Sequence, residues 1–179
     1  MTLSADGSLL SAKNLVINTK EAVENSGVLQ GKTVQIQAGL VQNTGRIQGG
    51  AIGIQSESDI YQGGLMTAAD SVQLSAQHDV VMDNTVTHLA NQDVLNRTAG
   101  IAVTGDDGVL LVEAGHNIDL AGATLQALGD NGAVILNAGN DVNLTTQTLS
   151  AKKDMTLNSD NYLRTQRQTE VGDYVKLFL

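Results

Sequence analysis

Two stretches of this chain lie over one another without a gap. Gly105–Leu128 (GDDGVLLVEAGHNIDLAGATLQAL) and Gly129–Lys152 (GDNGAVILNAGNDVNLTTQTLSAK) are identical at 9 of 24 positions, among them Gly105/Gly129, Asp106/Asp130, Gly115/Gly139, Leu120/Leu144 and Leu125/Leu149. A repeat of this length is too long for a coiled coil and falls among solenoids, whose units bury their apolar faces only against their neighbours. A shorter unit recurs within it: Ala, one or two turn residues, Asp or Asn, then apolar-x-apolar. It reads AGHNIDL from Ala114, AGNDVNL from Ala138, AKKDMTL from Ala151 and AQHDVVM from Ala76, with looser copies AKNLVIN from Ala12 and GKTVQIQ from Gly31. A companion unit, N-S/T-G-x-apolar-x-G, appears as NSGVLQG from Asn25 and NTGRIQG from Asn43.

Within each copy, apolar and polar residues alternate over three to five positions, as in Val34-Gln35-Ile36 and Val142-Asn143-Leu144. Period two predicts a strand with one buried face. No sustained 3.6 period predicts helix. The Gly, Asn and Asp between strands suit tight turns that need positive φ. Hairpin-forming dipeptides are scarce, with Asn131-Gly132 the main candidate. Strands this short cannot bury an apolar face alone. Stacked on their equivalents at about 4.8 Å, they form aliphatic ladders inside and Asn, Gln and Thr ladders at the turns. The chain has no proline, which would remove a ladder donor, and only 2% aromatic residues, which suits a narrow interior. The expected fold is therefore all-β, a right-handed parallel β-helix of roughly seven or eight coils with little or no helix. The alternative is an antiparallel β-sandwich.

The organisation expected over residues 1–179 is one repeat segment. Residues 7–82 and 105–157 read as regular coils. Residues 83–104 break the apolar spacing and read as an irregular coil or a protruding loop. Residues 158–179 read as an irregular tail or cap, ending in DYVKLFL.

Composition excludes several functions. With 10 basic and 19 acidic side chains the formal charge is −9, which argues against nucleic acid, where affinity comes from Lys and Arg on phosphate. The absence of cysteine removes disulfides, thiolate metal sites and cysteine nucleophiles. Met1 is followed by TLSADGSLLSAKN, with no basic and apolar leader pattern, and no window holds 18 apolar residues. The expected setting is either the cytoplasm or an internal piece of an exported protein.

AGNDVNL followed by TLSA, together with NSGVLQG and NTGRIQG, resembles the filamentous-haemagglutinin repeats of two-partner-secretion exoproteins of Gram-negative bacteria. Asn140–Gly172 is most similar to the second haemagglutinin-repeat region of contact-dependent growth-inhibition exoproteins of the CdiA type. The resemblance covers most of the chain. It departs from the family where the chain ends in DYVKLFL, and neither the secretion domain nor a toxin module is recognisable. The resemblance implies an internal, non-enzymatic segment of a secreted, cell-surface exoprotein. It would aid toxin delivery across the target-cell outer membrane, with target-cell surface components and other segments of the parent exoprotein as partners.

No catalytic, cofactor-binding or metal residue is predicted. His78 and His116 share a repeat position with Asn140 and Lys153, which marks an outward turn, and neither they nor His88 belong to a paired-ligand motif. Asp106, Asp107 and Asp130 recur in register and read as turn residues, since the converging oxygens of a calcium site are not evident. Arg46 and Arg97 lie far from any acidic cluster, and no GxSxG is present. Arg164 and Arg167 read as a solvated pair, with a carboxylate, sulfated sugar or phosphate as the alternative contact. Two competing functions are an adhesin shaft that binds glycan or cell surface, and a carbohydrate-active β-helix enzyme with convergent carboxylates.

Overall fold

The structure, a computed structural model, describes the backbone of residues 2–3, 8–89, 92–145, 148–166, 169–171 and 174–178, and the side chains of residues 8–84, 98–145 and 148–164. Among the described residues there is no helix. The chain is a β-solenoid of about seven turns, each turn laying down three strands. One face stacks Leu9–Leu10, Val28–Gln30, the first parts of Arg46–Ser56 and Leu65–Ala76, then Gly100–Val103, Thr124–Ala127, Thr148–Ala151 and Thr169–Val171. A second face stacks Asn14–Asn18, Thr33–Ala38, the later parts of the same two long strands, then Val109–Ala114, Ala133–Ala138, Asp154–Ser159 and Tyr174–Phe178. The third is a separate seven-stranded sheet running from Ala22–Asn25 to Tyr162–Gln166. Every pairing among the described strands is parallel except Thr2–Leu3 with Leu9–Leu10 and Thr85–Leu89 with Gln92–Arg97. The sandwich alternative is thereby excluded.

Alternation sets the core. On the second face Val34/Ile52/Val72/Leu110/Val134/Met155 and Ile36/Ile54/Leu74/Val112/Leu136/Leu157 form two ladders, each residue at most 2% exposed. Val41, Ile60, Val80, Ile118 and Val142 do the same on the third face. Burying such a side chain contributes about 1.5–3 kcal/mol, so each strand owes its stability to the coils above and below it. The inner corner after the second face is too tight for large side chains. It is filled by Ala38, Ser56, Ala76, Ala114, Ala138 and Ser159. Ala76, Ala114 and Ala138 here are the leading Ala of three of the short repeat units.

The 24-residue repeat is a coil. Val109 sits on Ala133, Ile118 on Val142 and Thr124 on Thr148. The short units, however, belong to two different corners. AQHDVVM, AGHNIDL and AGNDVNL enter the third face, whereas AKNLVIN, GKTVQIQ and AKKDMTL enter the second. Asn140 therefore stacks on Asn161 and not on Lys153, whose amide reaches Gly132. At both corners one or two turn residues lead from one strand into the next, and the sequence writes them alike.

Three other expectations change. Within residues 83–104, Asp83 ends a regular strand and Gly100–Val103 is a regular strand of the first face. The departure between them is an antiparallel strand pair, Thr85–Leu89 with Gln92–Arg97. Within residues 158–179, expected as an irregular tail or cap, the described strands Tyr162–Gln166, Thr169–Val171 and Tyr174–Phe178 pair in parallel on the coil beneath. Asn131-Gly132 does not turn a hairpin but lies in the corner between two parallel faces, where the Gly132 amide donates to Gly129 O at 2.9 Å. Positive φ also matters less than expected: among the described glycines only Gly122, at φ 66°, is left-handed.

The stack keeps its register across the antiparallel pair. Asp83 and Gly100 are in register with Ala121 and Thr124 of the next coil, which are joined simply by Gly122-Ala123. Replacing residues 84–99 with Gly-Ala should keep the strand content and shift the melting temperature by only a few degrees. Circular dichroism and thermal unfolding check this; loss of the β signal would show that the pair props the coil open.

Candidate functional site

The corner entering the third face carries the densest side-chain chemistry. Successive coils stack Ser58, His78, His116, Asn140 and Asn161, each backbone amide donating to the carbonyl of the residue beneath it at 2.8–3.0 Å. The next position stacks Asp59, Asp79, Asn117 and Asp141, and each oxygen caps the coil above. Asp59 Oδ1 accepts from the Asp79 amide at 3.0 Å, Asp79 Oδ1 from the Asn117 amide at 2.8 Å, and Asn117 Oδ1 from the Asp141 amide at 3.2 Å. This is the reason for Asp or Asn in the repeat: the side chain replaces a strand partner at the turn.

Two histidines sit on this acidic rail. His78 Nδ1 donates to Asp59 Oδ1 at 3.0 Å and lies 3.2 Å from Asp79 Oδ2, while His116 Nδ1 donates to Asp79 Oδ1 at 3.0 Å. The rings stack with centroids 4.9 Å apart and planes 11° from parallel. Their side chains are 59% and 46% exposed, against 17% for Asp59 and 22% for Asp79. Ligand atoms of His78, Asp79 and His116 all lie within 4.8 Å of one another. The outward turn expected for both histidines is correct. What a shared repeat position in the sequence does not reveal is that stacking turns it into a side-chain contact.

The charges act on their neighbours. Burial is the largest single influence on Asp59 and pushes its carboxyl up, but the hydrogen bonds from the Asp79 amide, His78 and Ser58, with the charge of His78, outweigh it. The net result is that the Asp59 carboxyl sits below its ordinary value of 3.8. The negative charge of Asp59 is the first cause that raises the Tyr61 hydroxyl above 10.0, followed by burial and Asp79. Because the Asp59 pKa falls on folding, its contribution to stability is present above the unfolded value and is lost as pH drops through the folded one. Asp59→Asn should therefore lower the melting temperature near neutral pH, and the gap from the unsubstituted chain should shrink below about pH 4. Thermal unfolding across pH checks this.

Among the described residues the other sequence candidates do not converge. Asp107 accepts from Asn131 Nδ2 at 2.9 Å and Asp130 pairs with Lys152 Nζ at 2.9 Å. Arg46 is exposed on the first face. Arg164 is not simply solvated: its Nη1 bonds Asp141 Oδ2 at 2.7 Å and Asn143 Oδ1 at 3.1 Å, and its guanidinium lies 4.8 Å from the Tyr162 ring centroid. The side chains of His88, Arg97 and Arg167 lie outside the described residues.

On the second face a shallow groove of about 250 Å³ runs over Gly53 between Gln35, Gln37, Gln55 and Gln73. Among the described residues no helix is long and apolar enough to cross a membrane, which says nothing about strands. Compared with known family models, curated proteins and solved structures, the chain matches none.

Proposed function

We propose that this chain is a non-enzymatic, load-carrying β-solenoid segment of a large exported exoprotein, serving toxin delivery across the outer membrane of a target cell. The observation that supports this reading best is the parallel stack of coils among the described residues. Each added coil buries its own aliphatic layer on the previous one, so the segment can fold by accretion after export, without disulfides or a closed globular core. The delivery role itself rests on the resemblance of NSGVLQG, NTGRIQG and Asn140–Gly172 to filamentous-haemagglutinin repeats.

The second reading is an adhesive shaft. The glutamine-lined groove over Gly53 favours it, because outward amides in register suit hydrogen bonding to glycan hydroxyls. One experiment separates the two. In the parent exoprotein, the region corresponding to Gly105–Gly172 is deleted, and cell attachment and toxin entry are scored in the same co-culture, with surface staining to confirm export. Attachment retained with entry lost supports delivery. Loss of both with normal surface display supports the shaft. Unchanged entry overturns the delivery reading.

A further inference from the structure

We propose that His78, His116 and Asp79, with Asp59 beside them, form a surface site for one divalent transition-metal ion such as Zn²⁺. Imidazole with carboxylate is the donor set that borderline cations take. The spacing suits one. Donors each about 2.0–2.1 Å from a tetrahedral zinc lie about 3.4 Å apart, and His78 Nδ1 is already 3.0 Å from Asp59 Oδ1 and 3.2 Å from Asp79 Oδ2. His116 Nδ1 is 3.0 Å from the other oxygen of Asp79. The widest separation within His78, Asp79 and His116 is 4.8 Å. Closing it needs only tilting of two imidazoles that are about half exposed, while the carboxylates stay anchored by the Asp79 and Asn117 amides.

Charge balance agrees. Asp59 and Asp79 together offset a dication, and the chain carries a net −9 that draws cations to its surface. Binding replaces the Nδ1 protons now shared with the carboxylates, so ion and proton compete for the same nitrogens. The site is also bounded. The coil below offers Ser58 and the coil above offers Asn140 at the histidine position, so the ladder holds a single histidine pair.

Zn²⁺ is titrated into the untagged chain against a chromophoric chelator, at about pH 7.5 and again at about pH 5.5, where more protons compete with the ion for its ligand atoms. Co²⁺ is substituted to read coordination geometry by visible absorption. The expected result is one ion per chain at the higher pH, with affinity falling at the lower. His78→Ser and His116→Asn should each weaken binding at least tenfold. Both install the residue that the same column carries one coil away, so the fold is retained, and circular dichroism verifies it. Absence of uptake, uptake that His78→Ser and His116→Asn leave unaltered, or equal uptake of Ca²⁺ would overturn the proposal.

Discussion

Asn43→Leu should destabilise the chain by about 3–4 kcal/mol, although leucine has nearly the same shape and is apolar in a buried position. Asn43 is 1% exposed at the inner end of the third face. Its Oδ1 accepts from Asn25 Nδ2 at 2.6 Å and its Nδ2 donates to Gln62 Oε1 at 2.7 Å. Leucine leaves one N–H of the Asn25 amide and the Gln62 oxygen without a partner, and each unpaired buried polar group costs about 1–3 kcal/mol. The same column continues through Met82, Leu120 and Leu144, so the scaffold itself accepts apolar residues there. The triple change Asn25→Leu, Asn43→Leu, Gln62→Met should therefore recover most of the loss. It stops about 1–2 kcal/mol short, because the caps that Asn25 and Gln62 place on Arg46 O and Gly64 O are also removed. Denaturant midpoints for the single and triple variants test this. A triple variant weaker than the single one would show that the ladder carries net stability beyond mutual satisfaction.

This ladder marks where the sequence is legible. The N-S/T-G signature at Asn25 and Asn43 identified a repeated turn, but only stacking shows that the asparagine points inward, and that Gln62-Gly63-Gly64 is its third copy. The 24-residue period translated directly into register, because both copies have equal coil length. Elsewhere coil length varies. Asn25 and Asn43 are 18 residues apart, Asn43 and Gln62 are 19, and Asp79 and Asn117 are 38, with the antiparallel pair in between. Short alternating strands carry too little information to fix register across such changes. That is why local spacing aligns Lys153 with Asn140, and why the repeat position that His78 and His116 share does not by itself reveal their contact. Arg164 escaped for a related reason: its partners Asp141 and Asn143 lie one coil below and are invisible to local motif reading.

Gly129→Ala should cost about 3 kcal/mol or more, whereas Gly53→Ala should be neutral or slightly stabilising. The two glycines differ in what lies over them. A Cβ on Gly129 would overlap Gly105 O and stand 2.5 Å from Asp106 Cα and 2.6 Å from Gly105 C, all backbone of the coil beneath. That backbone cannot retreat cheaply, because the Gly105 amide donates to Ala69 O at 2.7 Å and Gly105 O accepts from the Gly108 amide at 3.0 Å. Gly105 meets Ala69 O in the same manner, so the corner is a run of close backbone contacts through which strain spreads along the stack. A Cβ on Gly53 meets nothing within 4 Å, since Gly53 faces outward in the floor of the groove, and a side chain there removes the conformational freedom that makes glycine poor in strands. Thermal unfolding of both variants checks the contrast. If Gly129→Ala melted with the unsubstituted chain, the coils would be able to separate at that corner, and the close stacking there would contribute nothing to the rigidity that a delivery segment or a shaft requires.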